Sequence, residues 1–151
     1  TIGDGWMIGP HSAIDELEHQ VELCRQIWSA AGKPGSPDIP IIRETFVAKT
    51  RKEATEKARP CLEQLYRTIY VKWKQNEAMS DSSELSWAFD RLSKGRFILG
   101  SPEECAEQIK EYGNRLGTDY ILPRFDWTPG LPQEEILNSM RLFGEKVIQK
   151  L

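Results

Sequence analysis

The chain has 151 residues, of which 39% are hydrophobic and 28% are charged, a composition typical of one globular domain. Its formal net charge of −3 excludes a strongly basic protein of the kind that binds nucleic acid or an anionic membrane. No apolar run reaches the ~18 residues of a membrane-spanning helix. The three cysteines contain no C-x-x-C pair, so disulfides and a zinc site are not expected and a cytoplasmic location is favoured.

The first predicted elements are a strand and a helix. Residues 5–8 form a short apolar run before Gly9 and Pro10, which is typical of a buried strand. Ser12 is placed to cap a helix that ends at Gly32. The apolar stripe of that helix consists of Ile14, Leu17, Val21, Cys24 and Trp28. Since the sequence starts directly before a strand and without Met, we expect it to be a piece of a longer protein.

The second predicted unit is a strand with a long helix after it. Residues 39–48 are rich in β-branched and aromatic side chains, which favours a strand. Thr50 and Glu53 have the spacing of a capping box, and the helix that follows is expected to reach about Trp73, with a kink at Pro60. Residues 75–95 lack a strand pattern and contain one expected short helix, so we predict a mobile insertion there.

The last predicted elements are two helices around a third strand. After a brief apolar run at residues 97–100, Ser101 and Glu104 form a second capping box whose helix ends at Gly117. Residues 119–125 are expected to form a strand, and Pro132 begins the final helix. The inward side chains expected on that helix are Ile136, Met140, Phe143, Val147 and Leu151.

Alternation of apolar strands with amphipathic helices predicts a parallel α/β fold. Three parallel strands, at residues 5–8, 39–48 and 119–125, are too few for a complete fold, because such strands are buried on both faces. The sequence therefore predicts part of a (β/α)₈ barrel, in which helices cover only the outside.

Four motifs in order resemble the luciferase-like monooxygenases. They are Gly3-Asp4-Gly5-Trp6, Arg43-Glu44 before Phe46-Val47-Ala48, Leu99-Gly100-Ser101-Pro102-Glu103-Glu104, and Pro129-Gly130-Leu131. The resemblance implies that residues 1–151 are the C-terminal portion of a (β/α)₈ barrel, about strands six to eight, and that residues 75–95 are a variable insertion. It also implies FMN or a deazaflavin as cofactor, although the family binds the flavin phosphate largely on earlier strands.

Four side chains are candidates for cofactor binding, each with a structural alternative. Trp6 is placed to stack on a flavin ring, or is a core aromatic. Arg43 is placed near a flavin or an anionic substrate, as in some relatives, or forms an ion pair at the barrel floor. Arg124 and Trp127 follow the third strand, where relatives have substrate- or flavin-facing side chains; alternatively, Arg124 pairs with Asp126 and Trp127 packs on the last helix.

The sequence leaves two classes of function open. The first is the C-terminal part of a flavin- or deazaflavin-dependent monooxygenase or oxidoreductase, which we expect to be inactive alone because most cofactor contacts lie outside it. The second is a non-catalytic α/β module for oligomerisation or binding. In both cases unpaired strand edges predict self-association, as a homodimer or higher oligomer, or a non-covalent partner that supplies the missing N-terminal half of the barrel.

Overall fold

A parallel sheet of three strands, with helices on both faces, organises the chain in the computed structural model, which describes residues 5–127 and 130–151. The strands are β1 (Ile41–Val47), β2 (Ile98–Gly100) and β3 (Ile121–Arg124). The helices are α1 (Ile14–Ala30), α2 (Arg51–Gln64), α3 (Phe89–Leu92), α4 (Pro102–Leu116) and α5 (Gln133–Leu142). None of the helices in the described part of the chain has the length and apolar character needed to cross a membrane.

The strand order is β2-β1-β3, with all neighbours parallel. Residues 5–8 do not form a regular strand, which corrects the expected first strand; they make isolated parallel bridges to β1 and to Asp38. The backbone N–H groups of Ile42 and Ala48 donate to the carbonyls of Ile8 and Gly100. Because alternate residues of a strand point their N–H groups to the same edge, residues 5–8 and β2 lie one after the other along one edge of β1. β3 lies along the opposite edge.

The run at residues 97–100 is therefore the strand that sequence reasoning did not identify. Its three-residue core, β2, is too short to show a clear pattern of alternation. Residues 5–8, β1 and β3 nevertheless keep the lateral order expected for three successive barrel strands, since Ile8 and Ile121 both pair with Ile41 from opposite sides.

The two faces of β1 are covered by different helices. The Arg43 face carries Ile41 and Val47, which share a core with side chains of α1 and α4 and with Val147 near the C-terminus. The Glu44 face carries Phe46 and Ala48, which share a second core with α2, with the π-helical segment Leu65–Tyr70 and with residues of the 79–99 region. α1, α4 and the C-terminal helical segment thus lie on one face, as on the outside of a barrel, whereas α2, which follows β1, lies on the other face.

Two details of the helices differ from the expectations. α1 begins after Ala13 without a side-chain cap, because Ser12 is buried beneath it. In the last helix Val147 is buried as expected, but Met140 and Leu151 are about half exposed. A π-helical turn over Phe143–Val147 changes the angular spacing of the side chains there. Ser139 faces inward instead, and its hydroxyl accepts a hydrogen bond of 2.7 Å from the N–H of Val47.

Residues 75–95 contain more regular structure than their polar sequence indicates. Two 3₁₀ helices, Gln75–Ala78 and Glu84–Ser86, precede the expected short helix, α3. Leu85, Phe89 and Leu92 are almost completely buried against the Glu44 face. The segment therefore covers the sheet, and its mobility stays a prediction.

Candidate functional site

A polar cluster is buried within the Glu44 face of the sheet. Glu44 is fully buried, and its carboxylate contacts two tyrosine hydroxyls: Tyr66 lies 2.8 Å from Oε2 and Tyr70 lies 2.8 Å from Oε1. Arg124 donates from Nη1 to the Tyr70 hydroxyl at 2.8 Å and lies 3.8 Å from Glu44 Oε1. The Tyr66 hydroxyl also lies 2.8 Å from the carbonyl oxygen of Pro10. We call these four side chains the Glu44 cluster.

Local sequence explains why these four side chains meet. Glu44 and Arg124 are direct neighbours in the register of β1 and β3, so their side chains leave the sheet on the same face. Tyr66 and Tyr70 are four residues apart in the π-helical segment, a spacing that places both on one side of a helix. Arg124 ends β3, and Pro10 follows residues 5–8. The cluster thus lies toward the C-terminal ends of parallel strands, where ligands bind in α/β folds.

Burial controls the protonation of this cluster. Removal from water raises the pKa of the Glu44 carboxyl, and this outweighs the opposing effects of the two tyrosine hydroxyls and of Arg124. Burial also raises the pKa of Tyr66 and of Tyr70. Both phenols are therefore neutral hydrogen-bond donors at neutral pH.

The structure divides the four predicted cofactor-binding residues between the two faces. Trp6 packs with the core of the Arg43 face and lines an apolar groove of about 430 Å³ beside Leu23, Ile27 and Trp28 of α1. Arg43 is fully buried on the same face. Arg124 and Trp127 belong to the Glu44 face. One ligand therefore cannot contact all four side chains in this arrangement.

Arg43 is fully buried and, within residues 5–127 and 130–151, does not form the expected ion pair. Its Nη1 donates to the carbonyls of Gly9 and Ile42 at 3.1 and 2.9 Å, and its guanidinium lies 4.8 Å above the ring centre of Tyr112. Such a cation–π contact stabilises a guanidinium removed from water. Nε and Nη2 have no partner among the described residues.

Arg124 and Trp127 also differ from their structural alternatives. Arg124 donates from Nε to the backbone carbonyl of Asp126, at 3.0 Å, rather than to its carboxylate. About one third of its side chain remains exposed, so the guanidinium links the buried cluster to the surface. Trp127 is 1% exposed and packs in the core of the Glu44 face, and its indole N–H has no partner among the described residues.

His11 lies beside a second buried arginine, Arg96. The Arg96 guanidinium donates to the His11 carbonyl and pairs with Glu84 of the 75–95 region. Burial lowers the pKa of His11, so the imidazole is neutral at neutral pH. Through these two contacts Arg96 links residues 75–95 to the turn at His11, just after residues 5–8. We therefore assign Arg96 a structural role.

Sequence reasoning identified Arg124 but missed its partners. The signal for Glu44 was present, because it is an acidic residue between Ile42 and Phe46 on one face of an apolar strand. The i, i+4 spacing of Tyr66 and Tyr70 predicts that they share one helix face, but it does not show that this face meets Glu44. No group of three or more potential metal-ligating side chains occurs in the described ranges.

The described residues fit only part of a flavin site. The Glu44 face is closely packed, since Phe46, Leu62, Leu65 and Tyr66 are each at most 2% exposed. A flat ring system has no space between this face and the π-helical segment here. Arg124 alone presents a charged group that is both anchored within the cluster and open to solvent.

The fold and its parallel register define a portion of a (β/α)₈ barrel protein. The sequence profile of the luciferase-like monooxygenases matches residues 1–119, and the chain belongs to that family. No match was found among curated proteins.

Solved structures share this fold at low sequence identity. A monooxygenase from Streptomyces bottropensis is 21% identical, with a TM-score of 0.71, over 96% of this chain and 41% of its own. The oxygenating constituent of 3,6-diketocamphane monooxygenase from Pseudomonas putida, in complex with FMN, is 19% identical, with a TM-score of 0.70, over 96% and 42%. Coenzyme F420-dependent tetrahydromethanopterin reductase from Methanopyrus kandleri is 17% identical, with a TM-score of 0.65, over 98% and 45%. The chain thus spans about two fifths of the length of the structures it matches.

Proposed function

We propose that this chain supplies the C-terminal part of a flavin- or deazaflavin-dependent monooxygenase or oxidoreductase. The observation that carries the proposal is the family match over residues 1–119. In such enzymes the cofactor performs the hydride or oxygen chemistry, and the protein binds and orients it and excludes water. The contribution of this chain is the Glu44 cluster, with the Arg124 guanidinium at its exposed end.

Arg124 is the side chain to which we assign direct contact with the ligand. A guanidinium at the C-terminal end of a parallel strand forms strong, charge-assisted hydrogen bonds with an anionic oxygen of a phosphate, a sulfonate or a carboxylate. Its contacts with Tyr70 and with the Asp126 carbonyl fix Nη1 and Nε. The position of the cation is therefore set before a ligand binds, which lowers the entropic cost of binding.

Replacement of Arg124 with glutamine tests this assignment. We expect Arg124→Gln to weaken FMN binding on the order of tenfold, because one charge-assisted hydrogen bond is lost. Quenching of flavin fluorescence measures the affinity. Arg141→Gln is the matched control, since Arg141 is exposed and contacts Asn138 on its own helix. Equal affinity in both variants would remove Arg124 from the proposed site.

A non-catalytic α/β module is the second candidate function. The close packing of the Glu44 face favours it, because that face leaves no space for a flavin ring. If the purified protein is colourless and quenches neither FMN nor a deazaflavin, the module is the better description.

We further propose that these 151 residues alone do not catalyse turnover. The matched structures are more than twice as long, and positioning of reacting groups depends on contacts from the whole site. With reduced flavin supplied, oxygen consumption by the chain is expected to equal that of free flavin. A faster, protein-dependent rate would contradict the proposal.

Assembly through the exposed apolar surface is also proposed. Leu23 and Ile27 of α1 are about half exposed beside Trp6, and Met140 and Ile148 are about half exposed in the C-terminal helical region. Both faces of β1 are covered by helices. The bridges of residues 5–8 to other described residues all lie on the β1 side, so the proposal rests on these helix surfaces and on the opposite edge of residues 5–8.

Sedimentation measures the assembly state. We expect a mass above the 17.3 kDa of one chain, from a homodimer, a higher oligomer or a companion that completes the barrel. Leu23→Gln combined with Ile27→Gln is expected to shift the equilibrium toward the monomer. A stable monomer at micromolar concentration would contradict association.

A further inference from the structure

The Glu44 cluster contains one hydrogen-bond contact more than its tyrosine and arginine hydrogens can supply. Both contacts of the Tyr70 hydroxyl have a hydrogen, because it donates to Glu44 Oε1 and accepts from Arg124 Nη1. The two contacts of the Tyr66 hydroxyl share one hydrogen, because its oxygen lies 2.8 Å from two acceptors, Glu44 Oε2 and the Pro10 carbonyl oxygen. With an ionised carboxylate, two oxygen atoms would face each other at 2.8 Å without a hydrogen between them.

We propose that Glu44 is a neutral carboxylic acid in the folded protein, with its proton on Oε2, and that it thereby positions Tyr66, Tyr70 and Arg124. Glu44 Oε2 then donates to the Tyr66 oxygen, and Tyr66 donates to the Pro10 carbonyl. Each of the four contacts in the cluster has one hydrogen. The inference goes beyond the proposed function, since it does not depend on a flavin.

The charges around Glu44 agree with this arrangement. The groups that act on the carboxyl are Tyr66 and Tyr70 from the π-helical segment, Arg124 from β3 and the backbone N–H of Glu44 itself. The Pro10 carbonyl contacts the Tyr66 hydroxyl. Arg124 favours the ionised form, but it lies 3.8 Å away and a third of its side chain is in contact with water. Complete burial favours the neutral form and raises the pKa of Glu44. A neutral Glu44 leaves the positive charge of Arg124 uncompensated within the cluster, so that it is available to an external anion.

Glu44→Gln is the decisive variant, because an amide has the shape of the carboxylic acid and donates from the position of its proton. We expect this variant to fold and to keep the near-ultraviolet circular dichroism of the native protein. The matched control is Glu56→Gln, at an exposed glutamate on α2. Infrared spectroscopy of the native protein at neutral pH is expected to show the carbonyl stretch of one protonated carboxyl group. Glu44→Gln is expected to remove that band, and Glu56→Gln is expected to retain it.

The pH dependence of stability provides the second readout. A raised pKa in the folded state means that the contribution of Glu44 is complete below the unfolded pKa of 4.5 and is lost as the pH rises through the folded pKa. Over that interval we expect the folding equilibrium constant of the native protein, relative to that of Glu44→Gln, to fall about tenfold per pH unit. Carboxyls with lowered pKa values, such as Glu18 and Glu53 beside Arg115 and Lys57, affect both proteins equally.

Three results would overturn the inference. They are the absence of the protonated carboxyl band in the native protein, its persistence in Glu44→Gln, and a Glu44→Gln variant that fails to fold or has the pH profile of the native protein. The first is measured without any substitution, so a folding defect of a variant does not leave the question open.

Discussion

Replacement of Trp127 with alanine is expected to lower the free energy of unfolding by about 3 to 5 kcal/mol, the range for a fully buried aromatic side chain. Trp127 is 1% exposed and closes the core of the Glu44 face beside the Glu44 cluster. Truncation removes the burial of the indole and leaves a cavity that the sheet and the helices cannot easily fill, because both are held by backbone hydrogen bonds. Urea denaturation followed by circular dichroism measures the loss.

The matched control for this effect is Trp73→Ala. Trp73 is 61% exposed after the π-helical segment, so its loss is expected to change stability by no more than about 0.5 kcal/mol. Similar effects of the two substitutions would show that the indole of Trp127 is not buried in solution. That result would also restore Trp127 as a surface available to a flavin ring.

The strands and helices that sequence predicts best are those with strong local signals. α4 begins with the capping box of Ser101 and Glu104 and ends at Gly117 in the left-handed conformation, as its sequence indicates. β1 and β3 lie within the expected residues. Residues 5–8 and β2 differ from the predicted secondary structure. Whether a short apolar run forms a strand depends on the elements that pack beside it, and these two segments share one edge of β1.

The candidate site is less predictable, since it depends on which face each side chain occupies. Arg43 and Arg124 are both basic residues of strands, yet they lie in opposite cores because odd and even residues of β1 point in opposite directions. The sequence resemblance placed both near a ligand. The alternation of β1 separates Arg43 from Glu44, and the observed register places Arg124 beside Glu44. The packing of the π-helical segment on this face brings Tyr66 and Tyr70 to Glu44.

Gly100 is the second position where a single substitution is expected to have a large effect. It ends β2 with a φ of +148°, a backbone conformation that side chains other than glycine rarely adopt. A Cβ there would lie 2.7 Å from Glu104 Oε2 and 3.0 Å from Glu104 Cβ. The same Oε2 accepts a hydrogen bond of 2.9 Å from the Ser101 N–H, as half of the capping box of α4. The methyl group therefore strains the backbone and displaces the carboxylate that caps the helix.

We expect Gly100→Ala to lower the free energy of unfolding by about 2 to 4 kcal/mol, the sum of about 1 to 3 for backbone strain and about 1 for the cap. Two variants separate these contributions. Glu104→Ala removes the carboxylate half of the capping box without backbone strain and should cost about 1 kcal/mol. Gly35→Ala adds a methyl group at a φ of +68° where no atom lies within 4 Å, so it reports left-handed strain alone, again about 1 kcal/mol. If Gly100→Ala costs no more than Gly35→Ala, then the Glu104 carboxylate moves aside freely and the junction between β2 and α4 is looser than the structure indicates. A cost above both controls means that the glycine and the capping box act together to fix α4 against the edge of β1.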